Sequence, residues 1–419
     1  MKQVTESSYP ITFRKAEAKE LGTYIKQQKS VVLIGMKRVG VSNFLRFFIN
    51  HPDIERSYIQ SDQPQLFVQV DLNDLIERNL SAFWTLLLTR VVDSVENSTI
   101  PESEKKKCRK LFVQSIQLKD HFFTVDSVRK VLDIVVTSGL YPTVFLIRFD
   151  RLVEVFTEDF FGNLLGIRDA VKQKMSYVFT SHRPLPDLSP TIFKKQFLAT
   201  FTKDMYLPTA TTEDMYVIAQ TLLEQYQVNL STDALETLIR LSGGYVQYLQ
   251  LMLIRLHEEK NPPSIKELEK LMSKDEQIQL QSEEVYDSLS KTEQTAVRHD
   301  QYSSNDATYL FETGIRSNNG QLFSPLFAQY IQSIGDDASI GKDLTKKEHI
   351  LFTFLQAHEG QLCERETIVD TVWPDGHEMG VSDWAVDRLV ARLRSKLKAQ
   401  HSPYQIETVV TRGYKLIRS

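Results

Sequence analysis

Residues 31–42 read V-V-L-I-G-M-K-R-V-G-V-S. Four apolar residues, Val31, Val32, Leu33 and Ile34, run into Gly35; Gly40 follows five positions later, then Ser42 and an apolar-rich segment from Asn43 to Ile49. A buried strand, a glycine-bounded loop and a helix N-terminus are the parts of a phosphate-binding loop. In such a loop, backbone N–H groups and the positive end of the helix dipole hold an anion. One part differs: the position for the phosphate-binding Lys, between Gly40 and Ser42, holds Val41. The stretch therefore predicts a nucleotide-binding scaffold whose chemistry has changed. Its candidate binding residues are Gly35, Lys37, Arg38, Gly40, Val41 and Ser42. Lys37 and Arg38 either replace the lost charge or face solvent.

Around this stretch, 419 residues leave room for two or three domains with real cores. There is no run of eighteen apolar residues, so no membrane span is expected. Residues 1–14 lack a basic region followed by an apolar core and a cleavage site, which points to a cytoplasmic protein. Cys108 and Cys363 lie far apart and match no metal-ligand spacing; a reducing compartment suits them, and no metal site is expected. The net charge of −4 gives no hint of nucleic acid, although it averages over an uneven chain.

Strand and helix patterns alternate through the first half. Buried strands are expected at 66–71, 143–149, 177–181 and 205–208, with a lead-in helix within 12–28 and a helix opening at Ser81. This alternation implies a doubly wound parallel sheet with any ligand at the C-terminal strand ends. The basic cluster Lys105-Lys106-Lys107-Cys108-Arg109-Lys110 reads as the solvated face of a helix in an insertion rather than a nucleic-acid patch. Beyond 210 the pattern is helical, with helices near 213–225, 231–241 and 246–258. A capping box at Ser264 and Glu267 follows. Residues 284–335 suggest a small winged-helix remnant with a hairpin at Asn318-Asn319-Gly320. The expected domains are an α/β core over 1–210, a helical lid over 211–283, this middle segment over 284–335, a linker over 336–343 and a last domain over 344–419.

Residues 8–333 resemble the signal-transduction P-loop ATPases called STAND, within the AAA+ group. The resemblance rests on the loop at 31–42, the strand 143–152, Phe179-Thr180-Ser181, and Leu241-Ser242-Gly243-Gly244-Tyr245 leading into Leu249. In that family a third motif usually reads Asp-Glu-Phe-Asp-Arg-Leu; here Ile147-Arg148-Phe149-Asp150-Arg151-Leu152 matches it. Ile147 then stands for the magnesium-binding Asp, and Arg148 for the catalytic Glu. Phosphoryl transfer depends on positioning and charge neutralisation by Lys, Mg²⁺ and a water-orienting group. The resemblance thus implies ATP or ADP held without hydrolysis and Mg²⁺ without its carboxylate. Asp150 is catalytic only if the register is shifted by one.

The last segment carries the densest signal. Leu344-Thr345-Lys346-Lys347-Glu348 opens a helix with a second capping box, Thr345 to Glu348; another helix spans 365–372 and ends at Pro374. A third, over 382–398, presents Val386, Leu389, Val390, Leu393 and Leu397 on one apolar face. Strands at 406–409 and 414–417 follow, joined through Thr411-Arg412-Gly413. From Arg388 onward, eight Lys or Arg face one acid, a local charge of +7 in an acidic protein. A basic helix beside a basic hairpin suits a helix in the major groove with a wing on the backbone.

This segment resembles the OmpR/PhoB-type winged helix of response regulators, through Leu344-Thr345-x-x-Glu348, Arg365-Glu366 before Val372-Trp373-Pro374, Leu393-Arg394-Ser395-Lys396-Leu397 and Arg412-Gly413-Tyr414. The resemblance implies a recognition helix over 382–398, Thr345 and Arg365 near phosphates, and Arg412 at the wing tip. Val410 and Thr411 depart from the family's usual basic residue and Gly. The candidate DNA-binding residues are Thr345, Arg365, Trp384, Arg388, Arg392, Arg394, Ser395, Lys396, Lys398, Arg412 and Tyr414. Replacing Arg388 and Arg392 together by Ala is expected to abolish DNA binding and leave the fold intact.

The whole therefore reads as an AAA+-like P-loop α/β sheet with a helical lid, a degenerate winged helix, and a C-terminal winged helix. The expected protein is a regulator in which a degenerate nucleotide-binding module controls binding to double-stranded DNA. Two alternatives stand beside it: an active ATP-dependent oligomerising switch, and a protein-interaction scaffold without DNA. A homo-oligomer or a protein partner is compatible with all three.

Overall fold

The computed structural model describes residues 4–193, 201–258, 264–299, 307–335, 344, 346–373, 383–399, 402–409 and 412–418. Packing divides the chain into two units, Met1–Glu259 with Ser304–Ser324, and Lys260–Ser303 with Pro325–Ser419.

The first unit is built on a five-stranded sheet, ordered β2-β3-β4-β1-β5, in which every pairing is parallel. Helix α1 (Lys15–Lys26) leads into β1 (Val31–Ile34), which lies between β4 (Ser176–Ser181) and β5 (Lys203–Tyr206). All four β1 side chains are fully buried, as expected for a β-branched apolar run with neighbours on both sides. Helix α2 (Val41–Asn50) follows the glycine loop and buries Phe44, Leu45, Phe47 and Phe48. At the sheet edge, β2 (Gln65–Asp71) instead alternates buried and open residues.

Three long helices, α3 (Leu80–Glu96), α4 (Glu102–Leu118) and α5 (His121–Thr137), separate β2 from β3 (Tyr141–Ile147). The basic cluster lies on α4. There Lys105 donates to the Glu96 and Ser98 carbonyls at 2.8 Å, Lys107 pairs with Glu104 at 2.8 Å, and Arg109 pairs with Glu96 at 2.7 Å. These cations fasten the insertion locally. Helix α6 (Glu158–Ala170) connects β3 to β4, and α7 (Leu185–Leu188) follows β4.

Three helices succeed β5: α8 (Thr212–Tyr226), α9 (Thr232–Ser242) and α10 (Val246–Glu258). Gly243 and Gly244 join the last two, with φ of 57° and 78°. A Cβ on Gly243 would lie 1.7 Å from the Phe323 carbonyl oxygen, and one on Gly244 would lie 2.2 Å from that of Ala210. Only glycine combines the left-handed backbone with that close approach.

The chain then contributes α11 (Ile265–Lys274), α12 (Glu276–Asp287) and α13 (Lys291–His299) to the second unit. It returns to the first unit with α14 (Thr308–Glu312) and a turn closed by the antiparallel bridge Arg316–Leu322, which is where the Asn318–Gly320 hairpin was expected. Helix α15 (Pro325–Gly335) re-enters the second unit. Helices α11 and α12 pack with α15 in the second unit, and residues 284–335 are divided between the two units. The expected linker, 336–343, lies outside the described residues.

The last part holds α16 (Lys346–Ala357), β6 (Cys363–Glu364), α17 (Arg365–Val372), α18 (Asp383–Ala399), β7 (Tyr404–Val409) and β8 (Gly413–Arg418). The strands form an antiparallel sheet ordered β6-β8-β7. Three helices and a terminal hairpin around one core make a winged helix. Leu351, Ile368, Trp373, Leu389, Leu393 and Leu416 fill that core, and Leu280 of α12 joins it. Strand β6 was not foreseen, because two residues are too few to carry a period. The Ser264–Glu267 capping box is present, with Ser264 N donating to Glu267 at 2.9 Å. The second expected box falls on Thr345, which lies outside the described residues; the Glu348 carboxylate accepts from Lys396 Nζ at 2.6 Å.

Candidate nucleic-acid interface and phosphate loop

In the first unit, the loop between β1 and α2 keeps its expected shape. Gly35 N donates to the Ser181 carbonyl at 3.2 Å, Gly40 adopts φ of 111° as the residue before α2, and Arg38 is left-handed at 65°. Lys37 and Arg38 are exposed, whereas Val39 is fully buried and Gly40, Val41 and Ser42 are half-buried. A Cβ on Gly35 would lie 3.0 Å from a methyl of both Val39 and Val41, so apolar side chains pack against the loop's first glycine. Tyr245, at the start of α10, donates its hydroxyl to the Lys37 carbonyl at 2.7 Å.

The strand ends on the loop's edge of the sheet carry ion pairs. Ile147, the last residue of β3, is buried and lies in register with Asp71 of β2. The next residue, Arg148, is left-handed, donates its N–H to Thr180 Oγ1 at 2.7 Å, and pairs with Asp71. Asp150 lies in a 3-10 turn beyond the strand and pairs with His182 after β4. Arg183 stacks on Tyr309, 4.0 Å from the ring centroid, and the Tyr309 hydroxyl donates to the His182 carbonyl at 2.8 Å. Each carboxylate here thus has a basic side chain against it. His182, Asp71 and Tyr245 were not foreseen: sequence spacing does not disclose partners on other strands.

In the second unit, α18 buries Val386, Leu389, Val390, Leu393 and Leu397, as its periodicity predicts. Its open face carries Asp387, Ala391, Ser395 and Lys398. Beside it runs a stripe at helical spacing, Arg388, Arg392 and Lys396, and every member meets a carboxylate. Arg388 pairs with Glu284 of α12; Arg392 lies 2.7 Å from Glu283 of α12 and 3.6 Å from Glu348 of α16; Lys396 lies 2.6 Å from Glu348. Glu348 is fully buried. Removing Arg392 in the expected double replacement would strip the buried Glu348 of one of its two cations, a change that burial makes costly to the fold as well as to binding.

The other flank of α18 ties it to the hairpin. Arg394 donates to the Ile406 carbonyl and to Thr408 Oγ1, both at 2.7 Å. Tyr414 is buried, donates its hydroxyl to Asp387 and accepts from Arg365 at 3.1 Å, while Arg365 also pairs with Asp387. Burial and the hydrogen-bonded Asp387 push the Tyr414 hydroxyl up to about 12. Arg365, Arg394 and Tyr414 therefore form a knot joining α17, α18 and β8. Arg412 is exposed where β7 turns into β8. Thr345 and the Trp384 side chain lie outside the described residues.

The structure thus sorts the expected DNA contacts into three groups. Ser395, Lys398 and Arg412 are open, Arg388, Arg392 and Lys396 are held by carboxylates, and Arg365, Arg394 and Tyr414 support the hairpin. The partners Glu283 and Glu284 were missed. Their signal was the acidic stretch Glu283-Glu284-Val285-Tyr286-Asp287, in a chain whose tail is strongly basic. No helix among the described residues is long and apolar enough to cross a membrane.

Residues 341–416 match the family described as transcriptional regulatory protein, C terminal. Three solved structures are similar to this chain at low identity. A Walker-type ATPase of Pyrococcus abyssi is 14% identical, with 79% of this chain and 98% of that chain covered and a TM-score of 0.46. The Aeropyrum pernix ORC1 protein in complex with DNA is 10% identical, with 97% and 88% covered and a TM-score of 0.44. Domain III of the Thermotoga maritima replication initiation protein DnaA is 14% identical, with 63% and 93% covered and a TM-score of 0.36. The chain therefore joins a five-stranded parallel sheet, with a glycine loop between its first strand and the following helix, to a C-terminal winged helix whose residues match that regulatory-protein family.

Proposed function

We propose that this chain is a DNA-binding regulator whose C-terminal winged helix engages duplex DNA and whose P-loop module is a degenerate nucleotide-binding scaffold. The observation that carries the reading is the open face of α18, with Ser395 and Lys398, beside a hairpin that exposes Arg412. A helix face enters the major groove and a hairpin cation meets the backbone. The arrangement at the phosphate loop supports binding without turnover. Val41 stands in the Lys position, and Ile147 and Arg148 stand where metal and base carboxylates are needed. ATP or ADP is the ligand class such a loop accepts, with Lys37 and Arg38 supplying charge. Control of the winged helix by the loop's occupancy is part of this proposal.

Fluorescence anisotropy of the whole protein on random duplex DNA, over a range of salt and with or without ATP–Mg²⁺, tests both parts. Salt-sensitive binding is expected, and binding that changes with ATP supports the coupling. No binding to any duplex refutes the DNA reading. Measurable ATP turnover refutes the scaffold reading.

A further inference from the structure

The second unit brings an acidic helix against the basic stripe of its own winged helix. Helix α12 places Leu280 in the winged-helix core, and Glu283 and Glu284 then meet Arg392 and Arg388. At the same helix's start, Glu276 lies 3.9 Å from Lys347 of α16. Helix α12 precedes the 341–416 segment that matches the regulator family.

Two of these contacts concern the groove-facing helix directly. Arg388 lies three and seven positions before Ala391 and Ser395, so its side chain borders the open face of α18. Arg388 and Arg392 are nonetheless largely covered, at 12% and 13% side-chain exposure. Carboxylate and phosphate oxygens make the same charge-assisted, fork-shaped contact with a guanidinium. A guanidinium already facing Glu283 or Glu284 is unavailable to a phosphate until that carboxylate moves away. Lys396 differs, because its partner Glu348 belongs to the winged helix itself.

We propose that α12 is an autoinhibitory element: Glu283 and Glu284 stand in for DNA phosphates on Arg392 and Arg388, and duplex DNA must displace them to bind fully. This rests on the DNA-binding reading given above. Binding then divides between a covered state and an open one, and the apparent affinity falls with the fraction of protein that is open. The same contact lets any event that shifts α12 change DNA affinity without touching the recognition helix.

The test uses the full chain and two variants, Glu284→Gln and the double variant Glu283→Gln, Glu284→Gln. Both retain side-chain volume and an acceptor oxygen. Glu284→Gln leaves the buried Glu283 in place and so guards against loss of fold. Affinity for a random duplex is read by fluorescence anisotropy across a salt series. The single variant is expected to bind at least ~5-fold tighter, with the log–log salt slope steeper by about one, and the double variant by about two. Hydrogen exchange over 276–287 is expected to rise when DNA is added to the wild type. Variants that match the wild type in affinity and slope overturn the autoinhibitory role while leaving DNA binding standing. Unchanged exchange over 276–287 in the DNA-bound wild type overturns it in the same way. Failure of all three proteins to bind at low salt overturns the DNA reading, and the autoinhibition with it.

Discussion

Replacing Glu348 by Ala tests whether the winged helix depends on one buried carboxylate. Glu348 is fully buried and faces Lys396 at 2.6 Å and Arg392 at 3.6 Å. Removing one partner of a buried ion pair commonly costs about 3–5 kcal/mol, because the remaining charge loses its compensation. Two observations place this case at the lower end. Arg392 retains Glu283 at 2.7 Å, and the Lys396 side chain is 27% exposed and can turn its ammonium toward water. The expected loss is about 3 kcal/mol for Glu348→Ala, and about half that for Glu348→Gln, which keeps an acceptor. Hydrogen exchange under native conditions is the assay of choice, since peptides over 346–418 report on the winged helix separately from the sheet. The expected result is lower protection in 346–418 and unchanged protection in β1, β3 and β4. A loss under about 1 kcal/mol, within the range of an exposed pair, refutes the argument from burial.

Three further outcomes follow from the same geometry. Lys398→Ala, on the open face of α18, should weaken duplex binding and reduce the log–log salt slope by about one without altering thermal unfolding, as anisotropy and calorimetry will show. Gly243→Ala should destabilise the first unit by at least ~2 kcal/mol, because the backbone is left-handed there and the new Cβ falls 1.7 Å from the Phe323 carbonyl oxygen; urea unfolding measures it, and a loss under about 1 kcal/mol contradicts the packing. Burial pushes the Asp287 carboxyl up to about 6 from 3.8, with Lys396, Glu283, Arg392 and Glu348 as its charged neighbours. The folded state then takes up a proton before the unfolded state as pH falls, so this group favours folding progressively from pH 7 down toward 4. Asp287→Asn should flatten that part of the pH–stability curve, and an unchanged curve refutes the assignment.

The sheet was legible because its strands announce themselves. Val31–Ile34 and Val144–Ile147 are apolar without alternation, and short runs of this kind bounded by turn residues are the pattern of strands covered on both faces. The apolar face of α18 was legible for a similar reason, since a 3.6-residue period over four turns admits one arrangement. The ion pairs of Glu348 with Lys396 and Arg392 were not legible, because spacing on one helix does not disclose partners on another. The hydrogen bond of Tyr414 to Asp387 was not legible, because a Tyr beside a basic hairpin looks the same in sequence whatever its hydroxyl faces. The division between units was the least legible feature. It depends on which helices share α15, and contacts across long separations leave no period in the chain.

The interleaving of the two units also bears on how the protein is made. Residues 304–324 belong to the first unit, yet 260–303 leave the ribosome before them. At roughly 5–20 residues per second, the sheet's unit waits for its last segment while α11–α13 are already exposed. Those helices then wait longer, since α15 and the winged helix are synthesised after them. During that interval Ile278, Leu280 and Val285, buried in the finished protein, lack the surfaces that cover them. The acidic residues around them, Glu276, Glu283, Glu284 and Asp287, give the nascent segment a net negative charge, which favours solubility before its basic partners emerge.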